Sequence, residues 1–107
     1  MLVVFKEPGK KPEEREISGD LSGMQEAVGG YIETFMLPGG IVLVFDEEGR
    51  LSGKARNIVI PRVMLGSIMP VSIAGSLFAC AAEGEELRGL DEAEAHYAKQ
   101  ILEVCNV

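Results

Sequence analysis

The sequence predicts an α+β fold, a single domain over residues 1–107 with a small, mainly antiparallel sheet, one short internal helix and a C-terminal helix, in the order β-β-α-β-β-β-β-α. Three observations lead to this prediction. The chain has 107 residues, 47% hydrophobic and 25% charged, which is typical of one globular domain and excludes intrinsic disorder. Short β-type runs end at glycine and proline turns. Two segments carry a helix cap followed by apolar residues at helical spacing.

The N-terminal third is predicted to contain two strands and the short helix. Leu2 to Phe5 is a β-type run that Pro8-Gly9 ends, and Glu14 to Ser18 is predicted as an exposed second strand. Asp20 caps the helix, and Gly29-Gly30 ends it because glycine accepts the left-handed conformation of a helix terminus. Its apolar stripe follows helical spacing: Leu21, Met24 and Val28.

The middle of the chain is predicted to form a hairpin and further strands. Tyr31 to Leu37 and Ile41 to Phe45 flank a Pro-Gly-Gly turn, and the second of these strands is apolar throughout, which indicates burial on both faces. Asn57 to Ile60 is predicted as a short strand that Pro61 ends. Val71 to Ala81 is predicted as one central strand, with Gly75 as a bulge or a point of close approach.

The last helix follows Asp91, whose side chain forms a capping box with Glu94 three residues later. Its apolar stripe is Ala98, Ile101, Leu102 and Cys105. The apolar stretch from Val63 to Ala82 is interpreted as buried strands and not as a membrane span, because Gly66 and Pro70 interrupt it. No signal peptide is recognised, since Lys6 cuts short the apolar start, and we expect a cytoplasmic protein.

The charge is acidic and uneven. The chain has 10 Lys and Arg against 17 Asp and Glu, a net charge of −7, which argues against a general binder of nucleic acid or anionic membrane. Residues 83–107 alone hold seven acidic and two basic residues, a net charge of −5. One interpretation is a solvated helix face with acids at the helix N-terminus. The other is an acidic surface that mimics DNA or docks on a basic partner.

Catalytic and metal-binding templates are not recognised in the sequence. His96 is the one histidine and is expected on the polar side of the last helix, and Cys80 and Cys105 lack the spacing of a redox or zinc pair. The glycines match neither a dinucleotide fingerprint nor a P-loop. The sequence therefore predicts a protein that is not an enzyme and has no cofactor.

A basic segment favours a binding function. Arg50, Lys54, Arg56, Asn57 and Arg62 follow one another closely; guanidinium groups bind phosphate through paired hydrogen bonds, and an Asn amide pairs with a nucleobase edge. Tyr31 offers a stacking face. The alternative is a solubilising loop and a tyrosine with its ring in the core. The predicted ligand-binding residues are Tyr31, Arg56, Asn57 and Arg62.

Several segments together resemble a known family. They are Val28-Gly29-Gly30-Tyr31-Ile32-Glu33, Glu7-Pro8-Gly9-Lys10, Asp46-Glu47-Glu48-Gly49 and Ile73-Ala74-Gly75-Ser76. The pattern is similar to small proteins of unknown function from bacteriophages and mobile elements, mostly of Gram-positive bacteria. The resemblance carries no catalytic residues and implies a counter-defence interaction protein.

Two forms of that function are open. In one, a homo-oligomer sequesters a nucleotide-like signal. In the other, the acidic C-terminal quarter blocks a basic host protein. An oligomer is expected because strands this apolar in so short a chain need covering.

Overall fold

Eight strands and two helices follow one another along the chain in a computed structural model that describes the backbone of residues 1–107 and the side chains of residues 1–62 and 65–107. The elements are β1 (Leu2–Lys6), β2 (Glu13–Glu16), α1 (Leu21–Val28), β3 (Ile32–Met36), β4 (Ile41–Asp46), β5 (Arg56–Met64), β6 (Ser67–Ala74), β7 (Leu77–Glu83), β8 (Glu86–Arg88) and α2 (Glu92–Val104). The predicted α+β class, with mainly antiparallel strands, an internal helix and a C-terminal helix, is confirmed.

The larger sheet is antiparallel throughout, with strand order β2-β1-β7-β4-β3 and β8 paired to the far end of β7. Its central strands β4 and β7 are the continuous apolar runs of the sequence and are buried on both faces. The smaller sheet is a two-stranded ribbon of β5 and β6. The predicted hairpin of β3 and β4 around Pro38-Gly39-Gly40 is present.

The sheet has a layer on each face. Met24 and Val28 of α1 pack on one face, against side chains such as Phe78. On the other face, α2 and the ribbon share one core, in which Leu102 and Ile58 meet Leu43. The ribbon and the larger sheet are thus held by a common set of buried side chains.

Both helices begin and end as local sequence signals predict. The carboxylate of Asp20 accepts a hydrogen bond from the Gly23 amide at 2.7 Å, and Gly29 closes α1 with φ of 76°. Asp91 and Glu94 form the full capping box of α2. Neither helix in the described part of the chain has the length and apolar content needed to cross a membrane.

The strand predictions between residues 57 and 81 are wrong in two respects. Pro61 does not end β5: it lies opposite Pro70 in the ribbon, where each strand keeps a free edge and proline need not remove a ladder hydrogen bond. Val71 to Ala81 is not one strand, because Gly75 at φ of 82° separates β6 from β7 and sends them into different sheets.

The predicted burial of the apolar stretch from residue 63 to 82 holds for β7 and fails at the tip of the ribbon. Leu65, Ile68 and Met69 are exposed there, with Leu65 fully accessible. The tip turns through Leu65 and Gly66, both at positive φ, the backbone pattern of a two-residue hairpin turn.

Candidate functional site

An ion pair organises the segment that carries the basic residues. The Lys54 ammonium lies 2.6 Å from the Asp46 carboxylate and donates to the carbonyl oxygens of Val28 and Gly29 at 3.1 and 3.2 Å. It thereby binds two free carbonyls at the end of α1, where a cation is favoured. The Asp46 carboxyl is buried, and the hydrogen bond from Lys54, together with the Glu48 amide, lowers its pKa.

The glycine pair after α1 is explained by this ion pair. A Cβ atom on Gly30 would lie 2.5 Å from an Asp46 carboxylate oxygen, so a larger residue would displace the carboxylate. Gly29 has the left-handed conformation of the helix end. The motif that resembled a family signature therefore has a structural function: it admits the Asp46–Lys54 pair.

The segment from Glu47 to Ala55 is an ordered turn. The Lys54 amide donates to the Gly49 carbonyl at 2.9 Å, and the Ser52 amide donates to the Glu48 carbonyl at 2.8 Å. Gly49 is buried against β6, where an added Cβ would lie 2.7 Å from the Ala74 carbonyl oxygen. The turn is thus fixed to the ribbon through its backbone.

A cleft of about 450 Å³ lies between this turn and the outer face of the ribbon. Its lining consists of three basic side chains, one hydroxyl and a small apolar wall: Arg50, Lys54, Arg56, Ser72, Val59, Pro70 and Ala74. Lys54 is engaged by Asp46. Among side chains of residues 1–62 and 65–107, no ion pair engages Arg50 or Arg56. The cleft therefore presents two free guanidinium groups beside an apolar surface.

A bulge in β5 decides which basic residue faces the cleft. Arg56 pairs with Ala74, whereas Ile58 pairs with Ile73, so the register shifts by one residue between them. Without the bulge Arg56 would share the inner face with Ile58, because side chains alternate along a strand. With it, Arg56 lies on the outer face with Val59 and lines the cleft.

Arg62, by contrast, follows Ile58 and Ile60 on the inner face. Its guanidinium lies over the ring of Phe35, 5.7 Å from the centroid. Arg62 is therefore separated from Arg56 by the ribbon itself.

Asn57 is not a surface ligand-binding residue, and the prediction that it lines a pocket is corrected. Its side chain is fully buried. The amide nitrogen donates to the carbonyls of Lys6 and Gly75, each at 2.8 Å, and the amide oxygen accepts from the Lys6 ammonium at 2.6 Å. Every polar atom of the amide is engaged in joining the ribbon to the larger sheet.

Tyr31 is exposed, as a stacking residue requires, but it lies just before β3 and is not part of the cleft lining. Of the four predicted residues, the structure places Arg56 in the cleft, Arg62 and Tyr31 outside it and Asn57 in the interior. The four predicted residues therefore do not form one site within a single chain. Arg50 and Lys54 are recognisable in the sequence as basic residues of the same segment. Ser72 is not, because nothing in the sequence shows that β6 passes beside the turn from Glu47 to Ala55.

The residues considered for catalysis lie elsewhere. Cys80 is buried in β7, and burial raises the pKa of its thiol to about 12, which disfavours the reactive thiolate. His96 is exposed on α2, 3.3 Å from the Gln100 amide. Across the described residues no three His, Cys, Asp or Glu side chains form a group that could hold a metal ion.

A comparison with protein families places most of the chain in a described family. The model of a family described as a domain of unknown function, DUF3846, matches residues 1–103. Neither the curated proteins nor the solved structures contain a match to the chain.

Proposed function

The chain belongs to the DUF3846 family, and we propose that it binds and sequesters a small nucleotide-like anion as a homo-oligomer, without catalysing a reaction, in the cytoplasm of a bacterial host. The observation that carries the proposal is the cleft with two guanidinium groups free of ion pairs within the described side chains, Arg50 and Arg56. The resemblance to small phage and mobile-element proteins supports a counter-defence setting, in which the ligand is an immune signal.

The basic side of the cleft suits a phosphate group. Arg50 approaches from the turn and Arg56 from β5, so an anion between them would be contacted from two elements. Guanidinium groups form paired, charge-assisted hydrogen bonds with phosphate oxygens. Ser72 adds a hydroxyl that donates to an oxygen or accepts from a sugar hydroxyl.

The other side of the cleft suits a flat, weakly polar group. Val59, Pro70 and Ala74 form an apolar wall next to the basic side chains. Ligand sites commonly combine such a wall with a few polar groups that fix orientation, and a cleft of about 450 Å³ lies in the usual size range. A nucleotide has this division, with an apolar base face at one end and phosphate at the other.

The ribbon supports the oligomeric part of the proposal. No charged residue occurs between Val63 and Ser76, and the tip exposes Leu65, Ile68 and Met69. Leu65 also has a left-handed backbone, φ 52°, which costs about 1–2 kcal/mol for a residue with a Cβ. A strained and fully exposed leucine is explained if its side chain packs against a second copy. Because this tip carries no charge, two chains of net charge −7 meet there without placing acidic side chains against each other.

An acidic surface supports the second candidate function, inhibition of a basic host protein. Glu83, Glu85, Glu86 and Glu92 are all exposed, and the first three lie together at the turn between β7 and β8. Glu94, in contrast, is engaged by the capping box and by Arg88. We favour ligand binding because the cleft combines free cations with an apolar wall, whereas the acids need no partner in water.

Thermal unfolding with a panel of cyclic dinucleotides, cyclic mononucleotides and ADP-ribose-type nucleotides tests the first candidate. A ligand present at 100 times its Kd adds about 2.7 kcal/mol of stability, which for a domain of this size raises Tm by roughly 10–20 °C. We expect Arg56→Gln to weaken binding roughly 10- to 150-fold, the value of one charge-assisted contact. Arg62→Gln is the matched control, since it removes a guanidinium on the opposite face of the ribbon. A panel without any shift, or equal losses in the two variants, would overturn the proposed cleft.

Sedimentation velocity tests the oligomer. Ile68→Lys places a charge on the ribbon tip and is expected to dissociate it, whereas Val104→Lys changes another exposed apolar residue, on α2, and is expected to leave it intact. A chain that is monomeric at all concentrations contradicts the oligomer. Salt-sensitive capture of a basic host protein, lost when the four exposed glutamates are neutralised together, would favour the second candidate function.

A further inference from the structure

A lysine is buried at the end of β1, in a place that the Arg50–Arg56 cleft does not touch. Side chains alternate along a strand, so Lys6 shares the inner face with Leu2 and Val4 and points toward the ribbon and the end of α2. Only 1% of its surface is exposed. A charged side chain buried to this degree is usually paired with an opposite charge, because removing an ion from water is costly.

The neighbours of the Lys6 ammonium are neutral. It donates to the amide oxygens of Asn57 and Asn106 at 2.6 and 2.7 Å, and to the Glu7 carbonyl at a longer 3.4 Å. Among the described side chains, no carboxylate lies within 4.0 Å of it. Burial accordingly lowers the pKa of Lys6 from its ordinary value. The two hydrogen bonds to the asparagine oxygens are short, whereas the one to the Glu7 carbonyl is long and therefore weak, so this third N–H can donate to another acceptor.

A second cleft opens beside this ammonium. It measures about 270 Å³ and is lined by Lys6, Lys10, Lys11, Glu103, Asn106, Gly9 and Pro12. Three ammonium groups and one carboxylate line it, so its local charge is positive in a chain whose total charge is −7. Lys10 is paired with Glu7 at 3.0 Å, whereas no carboxylate of the described residues pairs with Lys6 or Lys11.

We propose that this second cleft binds a small anion of the phosphate type, whose oxygens contact Lys6 at the base and Lys11 at the rim. Glu7 already neutralises Lys10, so Lys6 and Lys11 against Glu103 leave an excess positive charge, which the anion neutralises. Lysine binds phosphate as a point charge and needs no planar geometry, which suits a site without arginine. The anion would supply the negative charge that Lys6 lacks among the described side chains. The Lys6 ammonium would then donate to a phosphate oxygen in place of its long hydrogen bond to the Glu7 carbonyl.

The site is separate from the proposed nucleotide cleft, since the two share no lining residue. One end of β1, the loop after it and the end of α2 build the second cleft, whereas the turn after β4 and the ribbon build the first. The proposal of phosphate binding at Lys6 therefore does not depend on what the first cleft binds.

The experiment titrates the protein with inorganic phosphate and follows binding by calorimetry and by NMR of labelled lysine side chains. We expect saturable binding that Lys11→Gln weakens roughly fivefold, the size of one exposed charge contact. Arg62→Gln, which removes a guanidinium outside both clefts, is expected to leave it unchanged. We also expect phosphate to raise the pKa read from the Lys6 Cε resonance, because a bound anion favours the charged amine.

The outcomes separate the possibilities. Phosphate binding that Arg56→Gln abolishes and Lys11→Gln leaves intact would assign the anion to the first cleft and overturn this proposal. No saturable binding, or a Lys6 resonance whose titration is the same with and without phosphate, also overturns it. The binding measurement uses a variant of the exposed Lys11, and the NMR measurement uses the unmodified protein. Neither experiment needs a substitution of the buried Lys6, which could unfold the protein. A titration with chloride salt at equal ionic strength is the control for general screening of the lysine charges by dissolved ions.

Discussion

Asn57 and Arg56 are adjacent in sequence, yet Asn57 is buried in the interior and Arg56 lines the first cleft, and replacing each in turn tests whether they stabilise the fold or bind the ligand. In Asn57→Ala the amide disappears from the interior. The carbonyls of Lys6 and Gly75 then lose their donor, and the Lys6 ammonium loses one of its two short hydrogen bonds. We expect this substitution to destabilise the fold.

The magnitude follows from the contacts that are lost. Two neutral hydrogen bonds contribute about 1 kcal/mol each, and one to a charged group contributes about 1.5–3 kcal/mol. Water that enters the space partly restores them, so we expect a loss of about 3–5 kcal/mol in the free energy of unfolding. A domain of this length has a total stability of about 5–16 kcal/mol, so the loss is a large part of it and lowers Tm by roughly 12–40 °C.

Urea unfolding of the two variants measures the difference. Arg56→Gln changes an exposed side chain and is expected to stay within about 0.5 kcal/mol of the parent chain. The reasoning is refuted if Asn57→Ala costs less than about 1 kcal/mol while weakening nucleotide binding as much as Arg56→Gln does. Asn57 would then act on the ligand, as the basic pattern around it in the sequence indicates.

Three further predictions concern other parts of the fold. The pKa of Glu94 is held at about 2, first by the hydrogen bond from Arg88 and then by the Asp91 amide, so its stabilising effect is complete above pH 4.5 and lost as the pH falls toward 2. Glu94→Gln should therefore cost about 0.5–1 kcal/mol in urea unfolding at pH 7 and clearly less near pH 2, where about half of Glu94 is protonated in the folded protein; an equal cost at both would be inconsistent with the ion pair. A thiol reagent should label the partly buried Cys105 in the folded protein and Cys80 after denaturation, which mass spectrometry of peptides reports; early labelling of Cys80 would contradict its burial. Leu65→Asn should relieve about 0.5–1 kcal/mol of left-handed strain and yet weaken self-association in sedimentation, whereas unchanged association would exclude the ribbon tip from the interface.

The elements that the sequence predicted correctly depend on local signals. Asp20 and Gly29 define α1, Asp91 with Glu94 begins α2, and the Pro-Gly-Gly turn at residues 38–40 fixes the hairpin of β3 and β4. Each signal acts over a few residues, so it can be read without knowing the rest of the fold.

The errors depend on how the strands pair and pack, which the local signals do not specify. Proline argues against a central strand, but a ribbon with free edges accepts Pro61 opposite Pro70, and only the pairing shows that. Asn57 is buried because Lys6, 51 residues away, and Gly75, 18 residues away, engage its amide. The bulge that turns Arg56 outward and leaves Arg62 inward comes from the register between β5 and β6, which no local pattern specifies.

The segment from Arg50 to Asn57 combines residues that stabilise the fold with residues that we propose to bind the ligand. Lys54 fixes the turn to Asp46 and to the end of α1, and Asn57 fixes the start of β5 to the larger sheet. Arg50 and Arg56 are thereby carried on a backbone that is already ordered. Binding then costs the ordering of two side chains and not of a loop, which is the gain that preorganisation gives. If the cleft binds the proposed ligand, Asp46 and Lys54 contribute to affinity through their ion pair, because it orders the turn that carries Arg50 before the ligand arrives.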